Sequence, residues 1–220
     1  VTVTGGDIDI TATATNTANA HANGGSGGVV NVGFFSAVAS VGDSQRNGTT
    51  RAYVGRGAVI QADTLDAMAT ATNKATSDML VVSVGVIGGS GAFANSYGQA
   101  DVLAFLDPGS TASGAAISLT GAANVVATSK ETVNATAKGG SGGGISVAAM
   151  LAGSQSTSNA VAWLGPDASL NSVGLTIKAD APVRENYALI QVGSAGVVGG
   201  AGGRAEAVTS GNVEAYVATG

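Results

Sequence analysis

The sequence predicts an all-β fold in which short strands stack as a solenoid, and three observations lead there. The first is repetition. A β-type stretch recurs from Val3 (VTGGDIDI), Ile60 (IQADTLDA), Leu119 (LTGAANVV) and Ile177 (IKADAPVR), at separations of 57, 59 and 58 residues. Each is followed by a glycine cluster (24–28, 88–91, 139–144, 199–203). Each cluster is followed by an alanine–aromatic–aliphatic step: Ala52-Tyr53-Val54, Ala104-Phe105-Leu106, Ala162-Trp163-Leu164 and Ala215-Tyr216-Val217. Three markers in one order, four times over, mean stacked units of like structure. The second observation is alternation. Ile10-Thr-Ala-Thr-Ala-Thr-Asn-Thr-Ala-Asn-Ala-His-Ala22 has the period of two that marks a strand, and its threonines favour β over helix. The third is composition. Apolar residues are 45% of the chain but aromatics only 4%, and glycine accounts for 35 of 220 residues. A core made of such small side chains is thin and lies between close backbones.

Unit one shows the order of elements. A strand at 1–4 leads through Gly5-Gly6-Asp7 into an alternating strand from Ile8 to Ala22. After the glycines, a strand spans 29–41. Turn signals follow at Gly42-Asp43-Ser44 and Asn47-Gly48, then a strand at 49–54 and a Gly55-Arg56-Gly57 turn into unit two. The units run 1–58, 59–116, 117–174 and 175–220 as one continuous segment. Turn signals about every 8–12 residues fit a sandwich, a barrel or a solenoid. The long period selects the solenoid, because it sets each coil between like neighbours. With three coils of about 19 residues per unit, eleven or twelve rungs give a rod of about 55 Å. The glycine clusters read as tight corners where neighbouring coils leave no room for side chains. Calcium-binding nonapeptide repeats need Asp after Gly-Gly-x-Gly-x, and the clusters lack it.

Composition also excludes classes. A net charge of −5 with scattered Lys and Arg speaks against a nucleic-acid partner. There is no cysteine, hence no disulfide and no thiolate metal site. No uninterrupted apolar stretch of about 20 residues occurs, so no membrane-inserting helix is expected. The chain starts and stops within its pattern, which reads as a piece of something longer.

Two phrases carry a resemblance. Asn47-Gly-Thr-Thr-Arg-Ala-Tyr-Val-Gly-Arg-Gly-Ala-Val-Ile60 and Val3-Thr-Gly-Gly-Asp-Ile-Asp-Ile-Thr-Ala12, with Gly-Ser-Gly-Gly clusters between valine-rich strands, resemble the filamentous-haemagglutinin-like, leukotoxin-like group of giant repetitive bacterial exoproteins. The likeness covers all four units and is strongest in the first. Asp107-Pro108 in unit two, and Pro182 and Arg184 in unit four, depart from it. It implies a right-handed parallel β-helix, secreted or displayed on a bacterial surface. It implies the role of stalk, fibre or adhesive face, and it brings no catalytic residues with it.

Candidate chemistry is sparse. His21 is the one histidine; with Asp7 or Asp9 and Ser26 it is the only route to a nucleophilic triad, and alternation reads it as a solvent-facing strand residue. One histidine also excludes a two-histidine metal site. Asp7 and Asp9 share a strand face, the spacing for acid–base work or a hard cation. Asp7 and Asp63 read more simply as turn residues capping their own backbone. Threonine arrays (Thr2, Thr4; Thr11–Thr17; Thr70, Thr72) resemble a hydroxyl ladder that fades where Val125, Val126 and Glu131 intrude. The aromatic row (Tyr53, Phe105, Trp163, Tyr216) reads as a stacked column inside the rod or at a corner, and otherwise as a binding row for sugar rings. Asn47 and Asn134 match glycosylation sequons. The expectation is a structural, non-catalytic segment with no catalytic, metal or cofactor residues. Its partners are neighbouring repeats or copies of itself, and host or surface glycans. A glycan-binding or polysaccharide-degrading module is the alternative.

Overall fold

The computed structural model describes residues 2–42, 48–109 and 116–219, the side chains of Thr2 and Val3 excepted. The expected turns at Asp43-Ser44 and Asn47, and the Asn47 sequon, lie outside the described residues. Every regular element described is a strand, and every pairing is parallel. The strands form three stacked four-stranded sheets. The first holds β1 (Thr2–Thr4), β4 (Val59–Ala62), β7 (Ala116–Leu119) and β10 (Leu170–Asn171). The second holds the long strands β2 (Asp7–Val41), β5 (Thr64–Gly98), β8 (Ala122–Ser156) and β11 (Gly174–Thr209). The third holds β3 (Thr50–Val54), β6 (Val102–Leu106), β9 (Ala160–Leu164) and β12 (Val213–Val217). The chain visits first, second and third sheet in that order, β1 to β3 being circuit 1 and β10 to β12 circuit 4.

The pairing corrects the expected winding. Ile8 lies beside Leu65, and Leu65 beside Ala123, so neighbours are a whole unit apart and not about 19 residues. One unit makes one circuit. The glycine clusters do lie at or beside a tight bend, at Gly28 and Gly143 for example, but there is one such bend per circuit and the strand continues through it, so the count of corners was too high. The markers also slip in register. Ile60 pairs with Ile117, not Leu119, and Ile177 lies in β11 beside Val125. With a period of two, the two-residue shift at Ile60 leaves every side chain on its expected face, so pattern alone does not fix it, whereas Ile177 falls in a different sheet from Leu119.

Each long strand bends back on itself. In β5 the inward side chains carry odd numbers from Leu65 to Ser83, then even numbers from Gly88 to Ser96. The switch falls at Val86, which the ladder skips: Gly85 pairs with Gly143 and Ile87 with Ile145. Val29 and Val197 are the matching apex residues, 72% and 93% exposed. The two legs of a strand then face each other, as Ser96 Oγ shows by donating to Ser77 Oγ at 2.9 Å. A circuit is thus a three-sided base drawn out on one side into a flat, two-legged blade. The base core joins residues of all three sheets, among them Leu65, Leu106, Ile117 and Val125. The blade core is Met79, Val81, Ala92, Ala94, Ala135, Ala137 and Met150 with their neighbours. The thin, small-residue interior expected from composition is present.

Candidate functional site

Stacking converts sequence positions into columns along the axis, and the columns are where candidate function resides. At the blade apex, Gly28, Gly85, Gly143 and Gly196 form one column. A Cβ on Gly85, Gly143 or Gly196 would overlap the carbonyl oxygen of the glycine in the preceding circuit. Only glycine lets the four bends nest at ladder distance. One step inward runs an unbroken serine column, Ser26, Ser83, Ser141 and Ser194. The Oγ atoms of the first three are buried without a partner.

The glycine clusters are not equivalent, which the sequence reading missed. Those of circuits 1 and 3 lie before the apex, in one column (Gly24 and Gly139). Those of circuits 2 and 4 lie after it, in another (Gly91 and Gly202). Across the blade Gly24 faces Phe35, Gly139 faces Met150 and Gly203 comes against the Ile190 side chain, while Val81 and Ala92 stand at the matching level of circuit 2. Glycine on one leg makes room for the large residue on the other. A Cβ on Gly24 would come within 2.5 Å of the Phe35 ring, and one on Gly139 within 2.8 Å of Met150 Cε. The large residue changes sides from circuit to circuit. The signal for this was in the sequence: Phe34-Phe35 follows one cluster and Val81-Val82 precedes the next.

A polar column occupies the neck between base and blade: Asn16, Asn73, Glu131 and Arg184. Asn16 Nδ2 donates to Asn73 Oδ1 at 2.9 Å. Asn73 and Glu131 are 2% and 1% exposed. The Glu131 carboxylate accepts from Ser156 Oγ, and from Ser158 Oγ at 2.6 Å. Arg184 Nη2 donates to the Ser158 carbonyl at 3.0 Å. Those hydrogen bonds offset part of the burial of polar groups inside a thin wall, Asn73 Nδ2 being buried without a partner. Alternation alone reads these positions as inward, but it gives no reason for them to be polar.

The aromatic row is a true column in the register expected. Tyr53–Phe105, Phe105–Trp163 and Trp163–Tyr216 ring centroids are 4.8, 4.2 and 6.3 Å apart, with interplanar angles of 14°, 12° and 8°. It does not lie inside the rod. Ala52 and Val54 point inward and are buried, so Tyr53 stands on the outer face of the third sheet. The rings cover one another's faces and offer solvent mainly their edges. The outer faces of Tyr53 and Tyr216 have no ring over them.

The remaining candidates are dispersed. His21 faces outward and lies 3.3 Å from Asp78, its neighbour in the next circuit. Ser26 faces inward. Asp7 and Asp9 lie a dozen or more extended residues from His21, roughly 40 Å along the strand. The structure therefore does not bring these residues together as a triad. Asp7 begins β2, where its carboxylate accepts from Thr64 Oγ1 at 2.6 Å. Asp63 accepts from Thr120 Oγ1 at 2.9 Å. The threonine ladder is partial: Thr13, Thr70 and Thr128 align, but Thr11 meets Met68 and Thr17 meets Lys74. Among the described residues no group of three or more His, Asp or Glu side chains is placed to share a metal ion. No helix there is long and apolar enough to cross a membrane. No protein-family model, no curated protein and no solved structure matches the chain.

Proposed function

We propose that this chain is a structural segment of a secreted or surface-displayed bacterial fibre or stalk. In this reading it is a right-handed parallel β-helix in which each of four repeats is one rung. The observation that carries the reading is continuous in-register parallel pairing of all three sheets at a spacing of one unit. Such stacking makes length, because each circuit satisfies the backbone of the next. A strand–crossover–strand connection between parallel neighbours favours the right-handed winding. The resemblance of Val3–Ala12 and Asn47–Ile60 to repetitive exoproteins suggests the setting. The alternative, a glycan-binding or glycan-cleaving module, has less support: the stacked rings turn their faces to each other, and sugar rings stack on faces.

The test has two arms. X-ray diffraction from aligned protein is expected to show a reflection near 4.8 Å along the stacking axis, at right angles to the strands. In glycan arrays and polysaccharide-hydrolysis assays the chain is expected to be inert. Absence of the axial reflection refutes the solenoid. Micromolar glycan binding that disappears in Tyr53→Ala moves the assignment to the alternative.

A further inference from the structure

We propose that one face of the blade is a docking surface for a second copy of this chain, the two blades packing sheet on sheet about a two-fold axis. It needs the stacked sheets described above, and neither the fibre role nor the winding sense. The two legs of a blade differ on their outer faces. On the leg before the apex the outward side chains are largely polar: Thr15 and His21, Lys74 and Asp78, Lys130 and Lys138 in successive circuits. Leu80, Val82 and Val84 of circuit 2 are an apolar exception near the apex. On the leg after the apex the outward side chains are Val30, Val32 and Phe34 in circuit 1, Ile87 in circuit 2, and Ile145 and Val147 in circuit 3, all exposed. From Val30 to Ser40 and across the aligned circuits, the charged outward side chains are Arg204 and Glu206, which pair with each other at 2.7 Å near the root of the leg. A contiguous apolar face opposite a polar one is the pattern of a sheet covered on one side.

The relief of this face identifies what covers it. Along the axis Val32, Gly89, Val147 and Gly200 form one outward column, and Phe34, Gly91, Ala149 and Gly202 form the next. Odd circuits carry the larger residue and even circuits carry glycine. A Cβ on Gly200 or Gly202 would meet nothing within 4 Å, so open hollows lie beside the projecting side chains. A two-fold axis along the strands, set between circuits 2 and 3, lays Val32 on Gly200 of the second copy and Val147 on Gly89. The Phe34 ring, which leans over Gly91 of its own chain, then lies against Ala149 and Gly202 of the second copy. At the apex Val30 meets Val198, and Ile87 meets Ile145. Arg204 falls opposite Ser36 and Glu206 opposite Val38, so no like charges meet. An axis between any two neighbouring circuits exchanges odd with even, so the fit is set by the alternation and not by the chain's limits.

The area suffices. From Val30 to Ser40 the face runs about 35 Å along the strands and about 19 Å across the stack, so a pair covers about 1,300 Å² in total, within the range of specific interfaces. Aligned sheets interdigitate their facing side chains in this way. A lipid surface would accept the protruding aliphatics but leave the hollows empty, whereas a second copy fills them. The contact is isologous, so it closes as a dimer with the two stacks side by side and antiparallel.

The experiment uses the whole chain. Sedimentation equilibrium is expected to show concentration-dependent dimers. Val147→Lys places a charge at the centre of the contact twice, once from each copy, and is expected to weaken dimerisation about 100-fold or more. Gly200→Val closes the hollow that receives Val32 and is expected to weaken it about 10-fold; adding Val32→Gly exchanges projection and hollow and is expected to restore most of the loss. Val147 and Gly200 are exposed in the monomer, so melting curves of dilute Val147→Lys and Gly200→Val chains stay unchanged. The chain has no native cysteine, so single variants report each face by alkylation. At high protein concentration Ala149→Cys is expected to be shielded, and Lys138→Cys, on the other leg, to react as it does when dilute. A chain that keeps its axial reflection but stays monomeric at every concentration overturns the docking and leaves the solenoid standing. Dimers that withstand Val147→Lys, or that shield Lys138→Cys instead, overturn it as well. Failure of Val32→Gly to rescue Gly200→Val overturns the two-fold register. A monomeric chain that binds phosphatidylcholine vesicles, and loses that binding in Val147→Lys, overturns the second copy in favour of lipid.

Discussion

At the base of each circuit, three sheets enclose leucine, isoleucine and valine together with alanine; in the blade, two legs of one strand face each other across alanine, serine and glycine, with an occasional large side chain such as Met79, Val81 or Met150. The base gains its stability in the ordinary way, from large apolar side chains removed from water. The blade buries fewer large side chains. It relies on ladder hydrogen bonds and close backbone approach, and its tolerance is set by volume. The two regions should therefore fail under opposite substitutions.

The largest effect is expected at the blade apex. Gly143→Val would drive a Cβ into the Gly85 carbonyl, so neighbouring bends no longer nest. A loss of about 4 kcal/mol or more is expected, above the usual cost of overpacking because the obstacle is backbone. Urea denaturation followed by circular dichroism measures it, and a loss under about 1 kcal/mol would show that the apex is looser than described.

The contrast between regions is sharpened by an opposed pair. Leu65→Ala empties a fully buried base position and is expected to cost about 2–5 kcal/mol. Ala94→Leu fills a fully buried blade position and is expected to cost about 1–3 kcal/mol by overpacking. If Ala94→Leu stabilises the chain in thermal melts, the blade is underpacked and the comparison fails.

A smaller effect tests the alternation itself. Gly24→Val alone meets the Phe35 ring; combined with Phe35→Ala it reproduces the Val81 and Ala92 pair of circuit 2. A double-mutant cycle is expected to give a favourable coupling of about 1–2 kcal/mol. Additive effects would mean that the two legs do not share one space. The smallest effect belongs to Ser83→Ala, which removes a buried hydroxyl that has no partner. A change within about 0.5 kcal/mol of zero is expected, whereas a loss near 2 kcal/mol would reveal a partner for the hydroxyl.

Much of this was legible in the residues, and the misses have identifiable causes. Ile10–Ala22 alternates, and it is a strand. Tyr53, Phe105, Trp163 and Tyr216 were aligned as they stack. The column's position outside the rod was not legible, because aromatic bulk suits either face of a strand. The winding was miscounted because the bend that Gly24–Gly28 leads into reverses the strand within one circuit and does not begin a new rung. The neck column of Asn16, Asn73, Glu131 and Arg184 was passed over because its members are of three residue types and become neighbours only once the register is set.

The sequence by itself determined the period of two, the recurrence at 57–59 residues and the thinness of the core, because these follow from local sterics and side-chain volume. Tertiary structure alone decided which residue lies over which, and which leg faces which. Register depends on contacts between residues more than fifty positions apart, where the carbonyl of one glycine sets what the next circuit can carry, and the bend depends on contacts across the two legs of one strand, such as Ser77 with Ser96.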